Sequence, residues 1–291
     1  MAPRYFYALA PLLFLLQPGI AQEKSLLWMV QGNGLSDTSY VYGTIHQIRK
    51  SDFFLSAPTE EAFLASERVT FEIDLDEMSD FGLLLSAMMK AFMKNDTTLQ
   101  DLLSPDDFRT VKKHFERSGL PMFVFNRIKP MFLSAFDPAM TSQAGGQADD
   151  MVSYEMQFAE MAQAQNKPID GLETIAFQLS LFDSIPYRDQ ATMLLESIQK
   201  ASDQEGGLDQ LVALYKSQDI EALQQALSSD QTPSDFERQL ILNRNKNWVA
   251  PMEKMMAEKP TFFAVGAGHL GGPQGILQLL RDAGYTVLPL Y

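Results

Sequence analysis

The sequence has no cysteine among its 291 residues. That excludes disulfides, thiolate nucleophiles, thiolate zinc sites and a lipid-modified cysteine after a leader. Any metal ion would have to be held by His, Asp, Glu, backbone or water. Histidine is scarce as well, at three residues. Basic side chains are outnumbered, with 23 Lys and Arg against 37 Asp and Glu and a net charge of −14. Phosphate backbones demand Lys and Arg, so nucleic acid is not expected as a partner. The acidity weakly favours cationic substrates or metal ions. Beyond the N-terminus no apolar run approaches the ~20 residues that span a bilayer. There is no His-Glu-x-x-His helix motif and no Gly-x-Ser-x-Gly elbow, which argues against a zincin and against a serine triad.

The N-terminus reads as a processing signal. Arg4 precedes an apolar stretch to Leu16, then a turn-prone Gln17-Pro18-Gly19, with the small residues Gly19 and Ala21 at −3 and −1 of a cleavage site. We therefore expect a signal peptide over 1–21 and export to a periplasm or beyond, with no stable membrane span after cleavage. An exported chain without cysteine suits a bacterial periplasm. Residues 22–291, in a chain 46% hydrophobic and 21% charged, are expected to fold as a single domain.

Strand candidates gather near the two ends. "LLWMV" (26–30) and "SYVYGTIH" (39–46) flank Gly32-Asn33-Gly34, a hairpin signal. "RVTFEIDL" (68–75) follows a short helix starting at Pro58, and "PIDGLE" (168–173) is a short strand. "TFFAVGAGH" (261–269) and "YTVLPLY" (285–291) flank a helix near 273–282, which predicts a parallel pair with a right-handed crossover. Helical patterns fill the middle. Ser104-Pro105-Asp106-Asp107 starts one helix. Residues 149–166 place Met151, Tyr154, Phe158 and Met161 on one stripe of another. Ser234 and Glu237 form a capping box for a helix that Pro251 is expected to kink or end. The Met-rich "SAMMKAFMK" (86–94) suits core packing, a lid or a flexible peptide groove. The fold class is α/β, with a mostly parallel central sheet built from both chain ends and long helical insertions at about 78–165 and 186–258.

Two stretches share one pattern. "VYGTIH" (41–46) and "AVGAGH" (264–269) are each an apolar strand, then Gly-x-x-His. Glycine allows a bend or a close approach where a Cβ would clash. Each pattern sets a histidine, His46 or His269, at a strand's carboxyl end, where open α/β sheets bind ligands. His114 sits among charges and is read as a solvated helix face. In "FEIDLDE" (71–77) strand alternation puts Glu72 and Asp74 on one face, either paired, holding a cation or simply wet. Glu173 ends another strand or opens the next helix. Arg244 interrupts the apolar stripe Phe236, Leu240, Trp248, Met252, so it either caps the core edge or reaches a carboxylate or oxyanion, with Asn245 beside it. Two imidazoles and one or two carboxylates beyond strand ends would make a nitrogen–oxygen metal site suited to Mn, Co, Zn or Fe.

These residues resemble the TraB/PrgY/GumN family, which includes the Tiki-type metalloproteases. The resemblance rests on "VYGTIH", on Glu72 and Asp74, on "NKPIDGLET" (166–174) with Gln178, on Arg244-Asn245, and on "VGAGHLGG" with "GYTV" (284–287). It implies an α/β core, which erythromycin esterases and haem-binding proteins are thought to share. It further implies a divalent-metal-dependent hydrolase, most simply a peptidase, acting on a peptide or small-molecule substrate. The metal, Mn, Co or Zn, would be held by His46, His269, Glu72 and Asp74, and Glu72, Glu173 and Arg244 would serve catalysis. The chain departs from the family pattern at one point: where a helix-opening Gly-x-Asp is expected it has "GGQADD" (145–150). Two alternatives stay open: a non-catalytic peptide-, haem- or metal-binding protein of the same fold, and a metal-independent esterase.

Overall fold

A computed structural model describes residues 24–75, 81–117, 122–135, 151–203, 207–227 and 238–291. The expected signal segment 1–21, the stretch 145–150 and the capping pair at 234 and 237 lie outside the described residues.

The strands form where the sequence is richest in β-branched and aromatic residues. They are β1 (Leu27–Gln31), β2 (Ser39–Thr44), β3 (Ile48–Arg49), β4 (Arg68–Ile73), β5 (Met151–Val152), β6 (Ile169–Glu173), β7 (Thr261–Gly266) and β8 (Thr286–Leu290). Six of them make one sheet in the order β6-β4-β7-β2-β1-β8. β1 and β2 are an antiparallel hairpin with Leu27 opposite Tyr42. Its turn holds Gly32, Asn33 and Gly34 at φ of 81°, 49° and 84°, a left-handed path that favours glycine. β2, β7, β4 and β6 run parallel to one another. The sheet is thus mostly parallel and drawn from both chain ends, as expected, with the long helical stretches inserted between its strands.

Three expectations are corrected. β7 and β8 are not neighbours, because β2 and β1 lie between them and β8 pairs antiparallel with β1. The reason is burial. β7 is apolar and covered on both faces, so it takes a parallel partner on each side, whereas β8 alternates exposed and buried residues and carries Pro289, which suits an edge. Next, the helix expected over 149–166 spans Tyr154–Ala164, with Ser153 as N-cap accepting from the Met156 N–H. Met151 and Val152 pair instead with β3. Last, Pro251 does not end its helix, which runs Asn243–Glu258 through it, behind a π-helical turn at Arg238–Leu242. Buried Trp248, Met252 and Met256 hold both halves of that helix to the core and offset the lost backbone bond.

Most of the large buried side chains, among them Trp28, Tyr42, Phe63, Phe71, Phe158, Trp248 and Phe262, pack in one cluster around the sheet. A second, smaller cluster of Met93, Leu99, Val111, Phe115, Leu133, Leu194 and Ile198 belongs to the helical insertions. The Met-rich helix Phe81–Lys90 keeps Met88 and Met89 exposed, so these two methionines do not fill the core. No helix among the described residues is long and apolar enough to cross a membrane.

Candidate active site

Strand register decides which side chains can meet. β2 and β7 are adjacent and parallel, with Gly43 opposite Val265 and Thr44 opposite Gly266. His46 lies two residues beyond Thr44, and His269 three beyond Gly266. Neighbouring strands are ~4.8 Å apart, so both imidazoles leave the same edge of the sheet side by side. β4 flanks β7 on its other side, with Phe71 opposite Ala264, and brings Glu72 level with the end of β7. β6 follows with Glu173 opposite Ile73. Four consecutive strands therefore deliver His46, His269, Glu72 and Glu173 to one crevice at their carboxyl ends.

The two motif glycines serve close approach. A Cβ on Gly266 would lie 3.1 Å from Glu72 Oε1, whereas the bare N–H of Gly266 donates to that oxygen at 2.8 Å. A Cβ on Gly43 would lie 3.1 Å from the Ala267 Cβ, so this glycine lets the second motif's turn nest against β2. The Tyr215 hydroxyl donates to the Gly43 carbonyl at 2.9 Å and pins that strand end.

Arg244 occupies the centre. Its Nη2 donates to Glu72 Oε2 at 2.6 Å, and its Nε to Glu173 Oε1 and Oε2 at 3.2 and 3.0 Å. Its Nη1 donates to the Leu240 carbonyl at 3.0 Å, an oxygen presented by the π-helical turn. The guanidinium also stacks over Trp248, 4.9 Å from the ring centroid. Of the two readings open in the sequence, the structure shows the carboxylate-bound one. Gln178 lies across both glutamates at 3.5 and 3.4 Å. The Trp248 Nε1 is buried without a hydrogen-bond partner and still lies near enough to Glu173 to help lower its pKa.

The two carboxylates differ. Burial works to raise the Glu72 pKa, but the neighbouring His269, Arg244 and His46 and the Gly266 N–H bring it down to about 2. Burial dominates at Glu173 and raises its pKa in spite of Arg244.

His269 is buried. Its Nδ1 meets Asn245 Oδ1 at 2.6 Å and its Nε2 meets Arg244 Nη1 at 3.3 Å. Asn245 Nδ2 donates to the carbonyls of His269 and Gln274, which leaves its Oδ1 as the acceptor for an imidazole N–H. That fixes a neutral ring with the proton on Nδ1 and a lone pair facing the guanidinium. Burial is the main reason its pKa falls to about 4, and Arg244 and His46 push the same way. The Glu72 oxygen at 3.7 Å is therefore a neighbour of a neutral ring at pH 7, where Arg244, His46 and the Gly266 N–H favour the charged form of that carboxylate.

His46 has 78% of its side chain open to solvent. Its Nδ1 lies 3.1 Å from Glu155 Oε1, and this hydrogen bond raises its pKa against the opposing effect of desolvation. Glu72 raises it further and Arg244 lowers it, both electrostatically.

Glu155 is the residue the sequence did not reveal. It sits in the first turn of Tyr154–Ala164, and the expected helix start at 149 made it an ordinary mid-helix acid. Asp74 lies one residue past β4, with its backbone against Gly171, where an added Cβ would come within 2.1 Å of Asp74 N. It is not part of the Arg244 cluster. His114 is half-buried on the helix Pro105–Arg117, edge-on to Phe115.

A family profile described as TraB/PrgY/gumN matches residues 26–289. The chain belongs to this family. Among curated relatives it is similar to Metalloprotease TIKI1 of Danio rerio, 24% identical over 316 residues, covering 90% of this chain and 62% of that protein. Metalloprotease TIKI1 of Homo sapiens is 24% identical over 326 residues, with 94% and 63% covered. Metalloprotease TIKI2 of Danio rerio is 22% identical over 317 residues, with 90% and 60% covered. This TraB-family chain thus spans about six-tenths of the length of these relatives. No solved structure matches it.

The relatives' names imply a metal ion. The arrangement described does not fit one. Among the described residues no group of three or more His, Asp or Glu side chains is disposed to hold an ion. Between Glu72 and His269 the Arg244 guanidinium already supplies a full positive charge, and Asn245 holds the other face of His269.

Proposed function

We propose that this TraB-family protein is an exported hydrolase, cleaving peptide bonds in the crevice beyond β2, β7, β4 and β6. The observation that carries the reading is the register of β2 on β7. It brings two histidines from opposite ends of the chain to one edge of the sheet, with Glu72 tied to the second motif through Gly266. The names of the curated relatives support the reaction class.

In this reading the residues divide the work. His46, accessible and backed by a carboxylate, moves a proton between the attacking water and the departing amine. Its raised pKa keeps it protonated to higher pH, which suits delivery to the leaving group. The Glu72–Arg244–Glu173 array holds fixed charge beside the reacting group, in a geometry set before substrate arrives. Water would add across the carbonyl–nitrogen bond, its hydroxyl going to the acyl carbon and its proton to the amine. No step is assigned to a metal ion.

Arg244 favours a second reading, hydrolysis without metal, because it already places a cation where an ion would act. Incubation with a broad peptide library, read by mass spectrometry with and without chelator, separates the readings. Cleavage that is lost in His46→Ala supports the hydrolase. Loss in chelator then assigns it to the metal-dependent class of its relatives, and survival in chelator to the metal-free one. Tight peptide binding with no product under any condition overturns the hydrolase reading in favour of a binding protein.

A further inference from the structure

Three donors converge on the Glu155 carboxylate. The Thr44 hydroxyl, on the last residue of β2, donates to Oε1 at 2.7 Å. His46 Nδ1 lies 3.1 Å from the same oxygen. The Ser153 hydroxyl donates to Oε2 at 2.8 Å. The carboxylate side chain is 18% exposed, while the imidazole it holds is 78% exposed. A surface ion pair formed by chance has two wet, mobile ends. Here one end is clamped between a strand terminus and a helix N-cap, in a first turn whose dipole favours an anion. Only the histidine is left open.

We propose that Glu155 is the positioning residue of His46. It accepts the Nδ1–H, fixes one ring orientation and, when the ring is neutral, one tautomer, so that Nε2 is the nitrogen left to take up or deliver a proton. The physical basis is the two-sided imidazole: whatever holds one nitrogen decides the state of the other. Thr44 and Ser153 occupy further lone pairs of the carboxylate, so its remaining freedom is small. The strand that carries His46 thus also carries one of the groups that fix its partner. The motif Gly-Thr-x-His works as a unit: Gly43 for approach, Thr44 for the carboxylate and His46 for the proton. The second motif, Gly-Ala-Gly-His, has no hydroxyl at the matching place, and its histidine is held by Asn245 instead.

The proposal rests on His46 being the reacting imidazole, so its test includes a readout that needs no turnover. Long-range proton–nitrogen NMR of the full chain at alkaline pH reports which ring nitrogen of neutral His46 carries the proton. With three histidines the spectrum is sparse, and His46→Ala assigns the signals. The wild-type ring is expected as Nδ1–H. In Glu155→Ala it should revert to the Nε2–H form that imidazole favours in water. The double variant Thr44→Val with Ser153→Ala loosens the carboxylate without removing it, and should give a mixture of tautomers. It also serves if Glu155→Ala fails to fold. Against a cleavable peptide, Glu155→Ala should lower kcat about 10- to 100-fold with KM little changed, and Glu155→Asp should recover part of the loss. A wild-type ring that is Nε2–H, or a tautomer indifferent to both variants, overturns the proposal, as does a changed tautomer with undiminished kcat. If the wild type cleaves nothing, the hydrolase reading fails and the NMR result alone decides the role of Glu155.

Discussion

The same motif, used twice, gives two opposite histidines. His46 projects from its strand end into solvent and gains a carboxylate, so its pKa rises. His269 turns back under the helix Asn243–Glu258, where burial, helped by Arg244 and His46, brings its pKa down to about 4. The motif sets the place of each ring on the sheet. What the other segments bring sets its charge: the Glu155 carboxylate at one helix start for His46, and burial beside Arg244 at another for His269. A histidine with a strongly acidified pKa beside one with a raised pKa divides the crevice into a fixed, neutral interior and a titrating mouth. In the proposed reading the acid–base work falls to the mouth, and the buried array supplies the field around it.

The largest effect is expected at the buried end. Arg244→Ala leaves Glu72 and Glu173 facing each other in the interior without their cation. Stranding one side of a buried ionic network costs about 3–5 kcal/mol, and urea unfolding should show it. A loss under ~1 kcal/mol would mean that water reaches this array and that the two histidines differ less than their burial indicates.

Gly43→Ala should cost about 1–3 kcal/mol by the same measurement. Its Cβ would press on Ala267 and Leu270, the turn that carries His269, so the damage should appear at the second motif through a change in the first. An undisturbed His269 resonance in this variant would break the link between the two motifs.

A smaller effect is expected from pH. The His269 pKa drops from 6.5 to about 4 on folding, so the unfolded chain binds the proton more tightly. The stability this gives is complete above pH 6.5 and is lost as pH falls toward 4. The Glu72 pKa drops from 4.5 to about 2, so its share is present above pH 4.5 and is lost below that. The unfolding free energy should therefore begin to fall below pH 6.5, by no more than about 1.4 kcal/mol per pH unit from this one group. His269→Gln should flatten that first limb. An unchanged slope would place the titration elsewhere.

The smallest effect is expected at the mouth. His46→Ala should change stability by no more than ~0.5 kcal/mol, because an exposed side chain contributes little. Its cost should appear in turnover instead. A large loss of stability would make His46 structural and remove the contrast.

Several parts of this arrangement were legible in the residues themselves. The strands of the six-stranded sheet, the hairpin glycines, the short helix expected from Pro58 and found from Ala57, and the two histidines at strand ends all follow from local pattern. So did Arg244, because a charge on an apolar helical stripe needs a partner. Glu155 was not legible, since the expected helix start at 149 put it in mid-helix, where an acid looks like any solvated position. The position of β8 was not legible either, because strand–helix–strand order does not say what will be inserted between the strands.

The sequence by itself determined which segments become the six strands of the main sheet, which glycines allow close approach and which few side chains could do chemistry. Those are consequences of local sterics and of side-chain periodicity. Only the tertiary structure decided that Thr44 stands opposite Gly266, that Arg244 closes on two glutamates, and that one histidine meets a carboxylate while the other meets an amide. These outcomes depend on contacts between segments more than a hundred residues apart in several cases, such as Glu155 with His46 and Arg244 with Glu72. Such pairings are fixed by which packing buries the whole apolar core at once, and no local stretch of chain carries that information.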